Sequence, residues 1–373
     1  MENILGANLA GNKMKTWVTI FERFESIHLN KDVGQIISHA AHFQNIKASL
    51  WRKSSYEDRH DYPFEVVNIK TKRKGCKISP AIIVKLIRNA KKIDILNLFH
   101  FRIYTLLYAS LYKIVNPKGK VIIKCDFSSV QEHQKKDSML KNIFFSFLLN
   151  INAIDLLLIE HKGLIKKFTS RGFNCRYTPN GVSEAFYNIS EKIDKNIIPT
   201  IVFVGKCGDK RKNAEELISS LCTLPQNIKW KAYFIGGETD EFLEWYKINS
   251  SPFVKSRCIF VGQLSDISRI HRIYSESHIF AMTSKQEGYP LSLAEACWVG
   301  CFPILSINSG GADLSASGAA AIYKNKDDLS LLLKKHINDI DLTITLGKKA
   351  ETVVKNNNDW RILLDDIKGF INE

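Results

Sequence analysis

No uninterrupted apolar stretch in this 373-residue chain reaches the roughly 18 residues that a membrane-spanning helix needs. The best candidate, Ile143 to Ile159, is broken by Asn150, Asn152 and Asp155. The opening Met1-Glu2-Asn3 lacks the basic start and apolar core of a secretory leader, so no export signal is expected. The eight cysteines form no Cys-x-x-Cys pair and no regular framework. That argues for reduced thiols and against disulfides or zinc, with a cytoplasmic location as the expectation. Internal repeats and low-complexity tracts are absent too. What remains is 45% hydrophobic and 24% charged, the composition of a soluble globular protein. Its length suits two domains of ordinary size.

Acid is scarce in one half only. Residues 1–190 hold 30 Lys and Arg against 15 Asp and Glu, whereas residues 191–373 hold 23 of each. The whole formal excess of +15 therefore lies in the first half. Such a face attracts polyanions, an anionic membrane surface or a lipid-linked diphosphate among them. Nucleic acid is not the expected partner, because none of its recognition motifs occurs. Residues 138–149 place Met139, Ile143, Phe144, Phe147 and Leu148 at helical spacing beside Lys135, Lys136 and Lys141. That stretch suits a membrane surface or a buried core.

Strand-like and helix-like segments alternate through the first half. Thr16 to Phe21, Phe64 to Ile69, Ile93 to Leu98, Val121 to Lys124 and Ala153 to Ile159 read as strands. Between them, helical spacing starts near Gly34, Pro80 and Tyr104. Alternation of this kind predicts an α/β fold, a parallel sheet covered by helices on both faces. Ligands in such folds bind beyond the C-terminal ends of the strands. Gly34, His100, Asp126 and Glu160 fall there: Gly34 could let backbone approach a diphosphate, and the other three could meet a sugar or an acceptor.

The second half repeats the pattern. Thr200 to Val204 is a buried strand ending in Gly205-Lys206, followed by the cluster Asp209-Lys210-Arg211-Lys212-Asn213 and a helix through Leu217 and Leu221. Strand, glycine, cations and helix start together make a phosphate site. Two more strands end in glycine turns, at Gly236-Gly237 and at Gly262-Gln263-Leu264. Then comes the most informative run, Glu287-Gly288-Tyr289-Pro290-Leu291-Ser292-Leu293-Ala294-Glu295, set between the strands His278 to Met282 and Phe302 to Leu305. Pro290 suits the first turn of a helix, where its missing N–H is harmless. Amides at that helix start favour an anion, and a carboxylate suits vicinal hydroxyls, each charged hydrogen bond contributing about 1.5–3 kcal/mol. Phosphate beside polyol describes a nucleotide sugar.

The two carboxylates of this run, eight positions apart, resemble the Glu-x7-Glu signature of retaining glycosyltransferases of family 4. Pro179-Asn180-Gly181-Val182 resembles the turn that closes the first domain there. Lys124-Cys125-Asp126 with Lys31-Asp32-Val33-Gly34 resembles a polysaccharide-biosynthesis branch, with Asp126 standing where many members have a histidine. The resemblance implies a GT-B architecture, two Rossmann-like doubly wound domains facing a cleft. The first would span 1–185, with a helix over 359–373 packing back onto it, and the second 196–358. It implies transfer of a sugar from a nucleoside diphosphate to a glycan, with retention, on a lipid-linked oligosaccharide of a surface polysaccharide or lipopolysaccharide, at the inner face of the plasma membrane. Lys206 and Lys212, with Arg211 competing for the latter role, would hold the diphosphate. Glu287 would meet the donor sugar and Glu295 the ribose. Gly262, Gln263 and Leu264 would touch the base, and Gly288, Tyr289, Pro290 and Leu291 the donor. No cofactor and no metal are expected. Fold alone does not separate a transferase from an epimerase or phosphorylase, and a catalytically silent membrane-binding subunit would need none of Glu287, Glu295 and Lys212.

Overall fold

The computed structural model describes residues 14–71, 78–127, 146–148 and 152–372. Two parallel sheets organise them. The first contains β1 (Lys15–Ile20), β2 (Ile46–Lys53), β3 (Glu65–Ile69), β4 (Ile95–Phe99), β5 (Lys120–Cys125), β6 (Leu156–Ile159) and β7 (Cys175–Tyr177). Its order is β3-β2-β1-β4-β5-β6-β7. The second contains β8 (Thr200–Val204), β9 (Lys231–Ile235), β10 (Cys258–Gly262), β11 (Ile279–Met282), β12 (Phe302–Ser306) and β13 (Ala321–Tyr323), in the order β10-β9-β8-β11-β12-β13. Central strands such as β6 and β11 are buried at every position. Helices cover both faces of these sheets, so the strands read as continuous apolar runs rather than alternating ones.

β2 was not legible as a strand. Its run Ile-Lys-Ala-Ser-Leu-Trp-Arg-Lys ends in two cations. Both are buried: Arg52 Nη1 lies 2.8 Å from Asp58 Oδ1, and Lys53 pairs with Glu22. The sequence shows the charges but not the partners that neutralise them.

Each sheet reverses its strand order once, between β1 and β4 and between β8 and β11. Crevices form at such points, beyond the C-terminal strand ends. The chain passes between the sheets twice, near Asn180 and again near Asn358, and the crossings are joined by Val182 N–H donating to Asn358 O at 2.8 Å. After the second crossing the Trp360–Asn372 helix lays Trp360, Leu364, Ile367 and Ile371 into the core formed by Trp17, Leu50, Ile95 and Ile122 of the first sheet. The apolar stretch 138–149 lies outside the described residues except for 146–148. No described helix is long and apolar enough to cross a membrane.

Candidate functional site

A cavity of about 510 Å³ opens at the reversal point of the second sheet. Its lining comes from the ends of three neighbouring strands, Gly205-Lys206 after β8, Gly236-Gly237 after β9 and Gln263-Leu264 after β10, and from Glu295 on the Leu291–Trp298 helix. The floor is bare backbone. Gly236 has φ of +141°, and a Cβ there would stand 2.2 Å from Gly205 O; its N–H donates to Gly262 O at 2.9 Å. Any side chain at Gly236 would be strained and would close the floor. Glu295 reaches in from the helix with the Tyr274 phenol beside it. Burial pushes the Glu295 carboxyl up to about 7, and the hydrogen bond from Tyr274 offsets only part of that.

A second cluster adjoins this cavity. Lys212 Nζ and Arg211 Nη1 lie 2.7 and 2.6 Å from the same oxygen, Glu287 Oε1. The two cations that competed on sequence grounds thus share one carboxylate. The Lys212 stem passes directly over Gly205, where an added Cβ would meet its Cγ at 2.9 Å, so the ammonium is held at the cavity edge. Thr283 Oγ1, just after β11, sits 2.9 Å from Lys212 O and 2.8 Å from Asn213 O and fixes this loop to the sheet. Asp209 Oδ2 also lies 3.9 Å from Arg211 Nη2, so the cluster itself is balanced in charge; its cations, with Lys206 and the glycine backbone of the adjoining cavity, make a setting that accepts a diphosphate.

The reversal point of the first sheet holds another cavity, of about 450 Å³, lined by residues after β1 and β4 that include Glu22, Arg23, His100, Arg102, Tyr104 and Tyr108. His100 adopts φ of +66°, an uncommon conformation for a side chain larger than glycine and one found at functional sites. Its Nδ1 lies 2.9 Å from Asp126 Oδ2, with Arg102 Nη2 at 3.5 Å from the same oxygen. Burial raises the Asp126 carboxyl, but His100 and Arg102 outweigh it and hold it below the usual range. The residue after β4 thus brings an imidazole against the aspartate that follows β5.

Several expectations are corrected. Gly34 does not stand in an open phosphate loop: it is buried inside the Asp32–Ala41 helix, and a Cβ would meet Leu29 Cα at 2.4 Å. It is glycine because helix and preceding turn cross in contact. Glu160 does not stand free in the cleft; only 6% exposed, it pairs with Lys124 at 2.8 Å and accepts from Tyr289 N–H at 3.1 Å. That bond occupies the Tyr289 amide, and the Tyr289 ring is buried as well. Pro290 caps the helix from outside its first turn, Leu291 being the first helical residue. Gly262 lies beneath the cavity, its carbonyl already bonded, whereas Gln263 and Leu264 line it. Gly288 lies against Phe127 and Glu160 of the first domain.

The sequence did not single out Tyr274, Arg102, Tyr104 or Tyr108, which carry no motif and gain their places only through packing. Among the described residues no group of His, Cys, Asp and Glu is arranged to hold a metal ion. One Asp-x-Asp triplet does occur, Asp339-Ile340-Asp341. Asp339 there caps the Ile340–Asn357 helix by accepting from Leu342 N–H at 3.0 Å, which accounts for it structurally.

Comparison with known proteins adds independent findings. Residues 188–356 match the family model described as Glycosyl transferases group 1. No curated protein matches the sequence significantly. Sucrose-phosphate synthase from Thermosynechococcus elongatus superposes with a TM-score of 0.72 at 14% identity, covering 96% of this chain and 98% of that one. HepE from Anabaena, solved in complex with UDP, gives a TM-score of 0.72 at 14% identity over 96% and 100% of the two chains. The lipopolysaccharide outer core galactosyltransferase WaaB gives 0.66 at 16% identity over 96% and 100%. The likeness extends over both sheets, whereas the family match covers the second. The described strands, the glycine-floored cavity and these matches lead to one conclusion: the chain has the GT-B fold, and residues 188–356 of its second half are similar to the glycosyl transferases group 1 family.

Proposed function

We propose that the protein transfers a sugar from a nucleoside diphosphate to a glycan acceptor, with retention of configuration, in the assembly of a surface polysaccharide or lipopolysaccharide. The observation that carries this reading is the convergence of Lys206, Gln263, Leu264 and Glu295 on one cavity with the Arg211–Lys212–Glu287 cluster at its edge. Glu295 accepts from the two ribose hydroxyls, and Gln263 and Leu264 border the base. Lys206 and Lys212 hold the diphosphate. As the bond between the anomeric carbon and the diphosphate oxygen breaks, these cations stabilise the charge that grows there, which is where an enzyme gains most. The acceptor oxygen bonds to the anomeric carbon, and its proton leaves with the departing phosphate or on the His100–Asp126 pair. The first cavity lies beside that pair and takes the acceptor. An anionic membrane surface facing the basic first half, at the inner face of the plasma membrane, brings a lipid-linked acceptor to it.

A donor panel tests the proposal. Uridine, guanosine and thymidine diphosphate sugars are added to the purified protein, and thermal stability and slow donor hydrolysis are read. One donor should raise the melting temperature and be turned over, and both effects should vanish in Glu295→Ala. No response to any donor, repeated with a membrane-extract acceptor present, would sink the reading.

A further inference from the structure

The loop that carries Glu287 is gripped from three directions, all at Tyr289. Its N–H donates to Glu160 Oε2 at 3.1 Å. Its carbonyl accepts from Asn180 Nδ2 at 2.8 Å. Its phenol donates to Asn358 Oδ1 at 3.2 Å. Glu160 stands at the end of β6 in the first domain, and Asn180 and Asn358 stand on the two chain crossings. The three holders are themselves joined. Lys124 Nζ donates to Glu160 Oε1 at 2.8 Å and to Asn180 Oδ1 at 3.1 Å, and Asn358 Nδ2 donates to Asn180 O at 2.8 Å. Gly288 lets the grip close, since a Cβ there would stand 2.7 Å from both Glu160 Oε2 and Phe127 O.

Lys124, Glu160, Tyr289 and Asn358 are all nearly excluded from solvent. A buried ion pair of this kind adds little net stability. A connected polar network in low dielectric does fix geometry, because each unmade bond leaves an unpaired group. What it fixes is the backbone two residues after Glu287. The nucleotide cavity, by contrast, is built from the second domain alone: Lys206, the glycine turns, Gln263, Leu264 and Glu295.

The geometry points to Glu160, Asn180 and Asn358 as positioning residues that set the loop backbone just after Glu287 for the donor sugar, adding a hold from the first domain and the crossings to the second-domain contacts of Glu287 with Arg211, Lys212 and Asn308. This rests on the donor reading above. Nucleotide binding does not need the grip; sugar transfer does.

Asn180→Ala removes one hold on Tyr289 and one of the two acceptors of Lys124, and leaves the Lys124–Glu160 pair in place. Tyr289→Phe keeps the amide and carbonyl holds, loses only the phenol bond to Asn358 and serves as the conservative variant. Hydrogen exchange of the segment 285–291 should quicken in Asn180→Ala, less so in Tyr289→Phe, with the segment 200–216 unchanged. In turnover, Asn180→Ala should lower kcat on the order of 10- to 100-fold, the scale of a misplaced reacting group. Affinity for the free nucleoside diphosphate should stay within about twofold, the signature of an interaction used only in the transition state. Combined with Glu287→Ala, it should add almost nothing to the loss from Glu287→Ala alone. Unchanged loop exchange, multiplying kinetic losses, or nucleotide affinity falling in step with kcat would each overturn the inference. If the wild-type protein turned over no donor, the donor reading would fail by itself. Exchange and nucleotide binding would still decide the grip, a quickened loop with intact binding upholding it and an unchanged loop removing it.

Discussion

At the scale of single residues, Glu295 shows how burial sets chemistry. Its carboxyl is raised from an ordinary 4.5 to about 7 by burial. Between those values the folded protein holds a proton that the unfolded chain releases, so rising pH removes stability through that window. Vicinal ribose hydroxyls donate to the carboxylate better than to the acid. Donor affinity should therefore climb between about pH 5.5 and about pH 8 and then level off. Calorimetric donor titrations across that range check it: the slope should disappear in Glu295→Gln, and a flat wild-type profile would contradict it. The sequence singled out this glutamate, and Lys206, Arg211, Lys212 and Glu287, which the structure gathers at one cavity and its edge, because spacing beside a strand end is local information. It did not show that Glu160 and Tyr289 meet. Their amide–carboxylate bond spans 129 positions of chain, and no local pattern records it.

At the scale of elements, the Asp32–Ala41 helix is fixed by contact rather than by propensity. Alanine is the better helix former by about 1 kcal/mol, which alone would make Gly34→Ala stabilising. The added Cβ would however stand 2.4 Å from Leu29 Cα and from Leu29 O, and backbone cannot step aside as a side chain tip can. The clash wins. The substitution should lower stability by about 1–3 kcal/mol, as other overpacking does, measured by denaturant unfolding; a gain would show that the turn over 28–31 yields freely. Strands β4, β5, β6, β8 and β11 were legible because parallel strands buried on both faces read as apolar runs. β2 was not, because Arg52 and Lys53 look solvated until Asp58 and Glu22 are placed beside them.

At the scale of the whole molecule, the two halves of the chain are not the two cores. The last helix follows the second domain in sequence and completes the first. Trp360 is fully buried there, and its ring lies against Gly181 on the other crossing, where a Cβ would come within 2.9 Å of it. Trp360→Ala should cost about 3–5 kcal/mol, the usual range for a buried large aromatic. Fluorescence of Trp17 and Trp51 in the first sheet should report unfolding at lower denaturant, while the nucleotide cavity of the second domain should lose little affinity. Unfolding of the second domain before the first would contradict this division.

The sequence by itself determined the α/β class, the parallel sheets, the basic first half and the carboxylate–glycine–helix run, because each is written in neighbouring residues: runs, turns, caps and charge counts. Only the tertiary structure decided which groups meet. It set His100 against Asp126 from separate strands, joined Arg211 and Lys212 on one oxygen of Glu287, and buried Glu160 under Tyr289. The physical reason is that burial and partnership belong to space rather than to sequence. A carboxylate in water, one in a cavity and one locked to a lysine share a letter in the chain and differ in charge, reach and task.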